Sequence, residues 1–152
     1  MEYKTADDVL RSHWDGLLPI NPKTLAEAMG ISVQGCFLDH SGHYSFNDGR
    51  PHIQYNCLEP AVRQRFTLAH EIGHHVHGDM NAPRDTSEQF NSRSRDPREV
   101  AANRFAAALL MPEAIVKHLV RERKVTRLPE LSKIFGVSTA AMEYRLRNIG
   151  LI

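Results

Sequence analysis

Four histidines, His70, His74, His75 and His77, fall within eight consecutive residues of the run AVRQRFTLAHEIGHHVHG. Ala61, Phe66, Leu68, Ala69, Ile72 and Val76 recur along that run at helical spacing and are available to a core. Glu59 and Pro60 open it and Gly78 is a terminator, so the run reads as one long helix that carries the histidine cluster.

The flanking sequence supplies elements of both kinds. ADDVLRSHW and LLPINPKTLAEAMGI predict two short helices, with Asn21 as cap, Pro22 in the first turn and Gly30 at the end of the second. Between Ile31 and about Asn56, the runs ISVQGCFL, HYSF and HIQY are broken by the turn-rich HSGH and NDGRP, which predicts a small antiparallel sheet. Residues 79 to 97 are polar and lack sustained periodicity, making them the longest candidate loop. Pro97 opens a helix over REVAANRFAAALLM that stops at Pro112, and a further helix runs from there to about Lys124. LPELSKIFGVSTAAMEYRLRNIGLI then reads as helix, tight GVS turn, helix. The expectation is an α+β fold, mostly helical, with a small antiparallel sheet. At 152 residues the chain has the size of one domain. The sheet and site-bearing helices span about 31–112 and a helical, helix-turn-helix-like tail about 113–152.

A net charge of +1 removes any chain-wide signature for polyanions or membrane surfaces. No stretch approaches the ~18 apolar residues of a spanning helix, and MEYKTADDVL lacks the apolar core of a secretory signal, so a cytoplasmic location is expected. Cys36 and Cys57 lie in no CxxC pair and read as small buried apolar residues.

His70-Glu71-Ile72-Gly73-His74 is HExxH. On a helix, residues four apart differ by about 40° in azimuth and ~6 Å in height, so the two imidazoles can meet one ion. Glu71 falls about 100° round, suited to act as general base on a metal-held water rather than as a third member of that pair. Zn2+ on two imidazoles and a carboxylate keeps an open position and brings the pKa of bound water to about 7, which is peptide-hydrolysis chemistry. The motif is short, and a surface helix with two solvated histidines is the plain alternative.

His77 shares the azimuth of His70 and His74 but lies about 10.5 Å along the axis from His70, too far for a common ion on an unbroken helix. Glu99, at the start of the alanine-rich helix, is the preferred third ligand. Asn103, one turn later, can orient a ligating imidazole through its other ring nitrogen. Glu99 could instead simply complement the helix dipole, and Asp79, Asp85, Glu88 and Asp96 are weaker competitors. His75 points to another face and reads as a core-edge histidine. His77 is placed near the mouth of the site, where it could donate to a substrate carbonyl or cap the helix end.

RQRFTLAHEIGHHVHGD, EVAANRFAAALLMP and LSKIFGVSTAAMEYRLRNIGLI together resemble the ImmA/IrrE family of metallopeptidases over most of residues 60 to 152. The resemblance implies His70, His74 and Glu99 as zinc ligands, Glu71 as base and a small sheet beside the active-site helix. It also implies, as substrate or complex partner, a helix-turn-helix transcriptional repressor of the Xre-like kind on a separate chain.

Two rival readings stand beside a zinc endopeptidase. Residues 114–152 carry eight Lys or Arg against three Glu, and residues 1–113 eleven against fifteen acids, a tail of +5 on a body of −4. Arg145 and Arg147 would then contact DNA. The plainer account is a helical core of Leu131, Ile134, Phe135, Val137, Met142, Leu146 and Ile149 with a solvated basic face. The other rival is a binding partner without turnover, such as a toxin component of a toxin–antitoxin pair.

Overall fold

A computed structural model describes residues 3–80 and 96–152. Its elements are α1 (Ala6–His13), α2 (Pro22–Ala28), β1 (Ser32–Cys36), β2 (Gly42–Asn47), β3 (Arg50–Asn56), α3 (Ala61–His77), α4 (Pro97–Leu110), α5 (Glu113–Arg121), α6 (Leu128–Phe135) and α7 (Thr139–Asn148). The fold is α+β, as expected. Asp85 and Glu88, and most of the expected polar loop, lie outside the described residues.

Local chemistry sets the boundaries. A reciprocal capping box of Thr5 and Asp8 starts α1. Asn21 Oδ1 accepts the Lys23 and Thr24 amides ahead of Pro22, and Asp96 accepts the Arg98 amide ahead of Pro97. Gly78 closes α3 in the left-handed region at φ 74°. There the amides of Gly78 and Asp79 fold back onto the carbonyls of His75 and His74.

The sheet has the order β1-β3-β2. β2 and β3 form the expected antiparallel hairpin, with Asp48 and Gly49 both at positive φ in its two-residue turn. β1, however, runs parallel to β3, so the sheet is mixed. The chain therefore crosses from β1 past β3 to reach the far edge. Tyr44 and Ile53 pair directly and are buried, at 4% and 0% exposure.

A continuous core joins this sheet to the helices. It runs from Val9 and Leu25 through Ile53, Phe66 and Ile72 to Leu109, Met111, Phe135 and Met142. Ala61 is exposed and Val76 half-buried, so the core face of α3 is narrower than the pattern suggested. Cys57 is exposed and Cys36 half-buried, both as free thiols. They are not the buried apolar pair expected: both sit at the ends of β1 and β3, where the sheet opens to the surface. Among the described residues, no helix is long and apolar enough to cross a membrane.

Candidate metal centre

α3 buries its middle turns completely: His70, Glu71 and His74 are at most 1% exposed. Three buried ionisable side chains on one helix are costly unless each has a partner. Each of the three offers a ligand atom, and these atoms lie within 4.8 Å of one another.

α4 supplies the partners. Gly73 lies inside HExxH, and a Cβ placed there would stand 3.2 Å from Ala102 Cα and from Phe105 Cβ. The missing side chain lets the two helices approach closely, although glycine within a helix costs up to about 1 kcal/mol relative to alanine. This contact places Glu99 and Asn103 over the imidazoles. His70 Nδ1 donates to Asn103 Oδ1 at 2.8 Å, while His70 Nε2 lies 3.3 Å from Glu99 Oε1. His74 Nδ1 donates to Asp79 Oδ2 at 3.0 Å and its Nε2 lies 2.6 Å from Glu99 Oε2.

Both imidazoles thus spend Nδ1 on an oxygen acceptor and turn Nε2 towards Glu99. In the neutral rings this leaves the lone pair on each Nε2, as metal-ligating imidazoles require. His74 Nε2 and Glu99 Oε2 are buried against one another. Two imidazole nitrogens and a carboxylate oxygen converging in this way fit a divalent metal ion of the zinc type.

The same contacts couple the charges of the carboxylate and the imidazoles. Burial pushes the Glu99 carboxyl upward, but hydrogen bonds from His70 and His74 and their charges outweigh it and hold the pKa at about 2. Burial pushes His74 downward, and hydrogen bonds to Glu99 and Asp79 more than reverse this, so it is raised.

Asp79 was weighed only as a competing ligand, yet it stands behind His74. The available signal is its place just after the helix-ending Gly78, where the chain turns back over the last turn of α3. Asp96 caps α4 and pairs with Arg98. His75 accepts or donates at Nδ1 to Tyr44 Oη over 2.8 Å on the sheet side, and burial lowers its pKa. His77 lies edge-on to Phe105 at a ring separation of 5.7 Å.

A helical pair that gathers two imidazoles and a carboxylate around one point, beside a small mixed sheet, defines an α+β domain built around a candidate metal centre. Residues 26–147 match the peptidase family described as the IrrE N-terminal-like domain, and the chain belongs to that family, the ImmA/IrrE metallopeptidases. It is 39% identical over 98 residues to the radiation response metalloprotease IrrE of Deinococcus radiodurans, covering 62% of this chain and 30% of that protein. It is 32% identical over 99 residues to an uncharacterized immunity region protein 2 of Bacillus phage phi105, covering 63% of this chain and 61% of that protein. The chain spans less than two thirds of the length of either relative.

Proposed function

We propose that this chain is a zinc-dependent endopeptidase of narrow specificity. His70, His74 and Glu99 hold the ion, and Glu71 is the general base. The observation that carries the reading is the pair of Nε2 atoms turned onto Glu99, with both Nδ1 atoms held from behind by Asn103 and Asp79. When bound, zinc supplies a Lewis acid for the scissile carbonyl and lowers the pKa of a bound water. Glu71, buried beside the imidazoles, would serve as the base that accepts a proton from the attacking water and passes it to the departing amine nitrogen. Asn103 and Asp79 keep the imidazoles oriented. His77, exposed at the C-terminal end of α3, would contact substrate near the mouth of the site.

The substrate in this reading is a helix-turn-helix repressor, as the resemblance to the ImmA/IrrE family implies, and its cleavage in the cytoplasm would relieve repression. The test is metal content by elemental mass spectrometry for wild type, His74→Ala, Glu99→Ala and Glu71→Gln. Near-stoichiometric zinc is expected in wild type and Glu71→Gln, and lost in the other two. Zinc retained in Glu99→Ala would remove Glu99 from the ligand set. Repressor cleavage by Glu71→Gln at the wild-type rate would remove Glu71 as the base.

A further inference from the structure

Thr67, Glu71 and His75 follow one another at four-residue intervals and form a row along α3. Edge strand β2 lies against this row. Tyr44 Oη reaches His75 Nδ1 at 2.8 Å, and Gly42, two residues earlier on the same face of the strand, meets the preceding turns. A Cβ built on Gly42 would stand 2.3 Å from Thr67 Cγ2, 3.1 Å from the Gln54 carbonyl oxygen and 3.4 Å from Glu71 Oε2. Strand and helix run in step here: two strand residues advance ~6.7 Å and one i,i+4 step on a helix ~6 Å. The φ of Gly42 is not in the positive region that favours glycine, so turn geometry does not explain the residue. The space does.

Resting on the reading of Glu71 as base, we propose that Gly42 is a positioning residue for Glu71. Its missing side chain lets β2 close over the Thr67–Glu71 turn and holds the Glu71 carboxylate against the imidazole pair. Carbon atoms pack at ~3.5–4.0 Å, so an alanine at 42 forces strand and helix apart by more than an ångström. Thr67 is fully buried and, being β-branched on a helix, has little room to yield. The obstructing atom is its methyl group, and serine at 67 lacks it. The contact is therefore specific enough to be broken and restored by two single-atom changes.

The experiment uses the full chain loaded with zinc and acetohydroxamate as the probe, a chelating ligand whose hydroxyl proton passes to a neighbouring carboxylate. Affinity is measured by calorimetry for Gly42→Ala, Thr67→Ser, the double variant and Glu71→Gln. The melting temperature of each metal-free protein is measured alongside. Gly42→Ala is expected to keep stoichiometric zinc and bind the hydroxamate about 10- to 100-fold more weakly, as an ångström-scale misplacement of a catalytic group does. The double variant should return to the Thr67→Ser value. Wild-type affinity in Gly42→Ala with only a lower melting temperature would make the contact merely structural and overturn the proposal. So would a loss that Thr67→Ser does not restore. Should Gly42→Ala fail to fold, a double variant that folds and binds like Thr67→Ser supports the contact, and one that also fails to fold overturns it. Unchanged affinity in Glu71→Gln sinks the role of Glu71 itself, while the metal-free melting temperatures still report the Gly42–Thr67 contact separately.

Discussion

Glu99 and His74 are linked titrations, and their signs can be worked out for the metal-free protein. Burial opposes the charge on Glu99, but the imidazoles outweigh it, so the folded pKa of about 2 lies below the ordinary 4.5. The stability this contributes is complete above 4.5 and is lost as pH falls towards 2. His74 is raised above 6.5 by Glu99 and Asp79 against its burial, so its contribution is complete below 6.5 and fades as pH rises through the folded value. The pair stabilises the metal-free chain most between those limits. Melting temperature measured against pH should fall on the acid side more steeply for wild type than for Glu99→Gln; parallel acid limbs would show that Glu99 is not held as described. At this scale part was legible: four-residue spacing puts His70 with His74 and Glu99 with Asn103 on one face of their helices, but it does not say that Glu99, and not another acid, comes to lie against the imidazoles. Asp79 was not legible, because its position depends on how the chain reverses after Gly78, and no periodicity encodes that.

Gly73 shows how an element-level contact governs the site. Replacing it with alanine gains up to about 1 kcal/mol of helix propensity. The new methyl, however, would sit 3.2 Å from Ala102 Cα and Phe105 Cβ, so α4 must move out by a few tenths of an ångström. These terms oppose each other, and metal-free stability should change by less than about 1 kcal/mol. Glu99 and Asn103 ride on α4, so with the proposed ligand set zinc affinity should drop about tenfold, in the range typical of disturbed ligand supports. Competition with a chromophoric chelator measures it, and an unchanged affinity would show that the interhelical contact does not set the ligand geometry. Helix ends were readable because caps are local, as at Asn21, Asp96 and Gly78. Strand order was not. Alternation in ISVQGCFL and HYSF identifies strands, but it does not say which neighbour a strand pairs with, and β1 joins β3 in parallel.

At the scale of the whole molecule, the basic tail is built into the packing more than its charge count suggested. Arg145 donates from Nε to the Met111 carbonyl at 2.9 Å, tying α7 to the end of α4, and burial lowers its pKa. Arg65 does the same across the core, donating to the carbonyls of Ile20, Phe135 and Gly136. Arg147, by contrast, is exposed and pairs with Glu143 one turn away. A charge tally treats the two tail arginines alike because it does not see which guanidinium ends on a helix C-terminus. Arg145→Ala should therefore destabilise the fold by about 1–3 kcal/mol, the cost of a charged hydrogen-bond donor lost from the carbonyl of the buried Met111. Arg147→Ala should stay within about 0.5 kcal/mol of wild type, as surface changes do. Urea denaturation of both variants, paired with titration onto a DNA duplex at two salt concentrations, separates the readings. If the arginines serve packing, only Arg145→Ala loses stability and neither alters a salt-sensitive affinity; a DNA-reading tail would instead lose affinity in both and flatten the salt dependence.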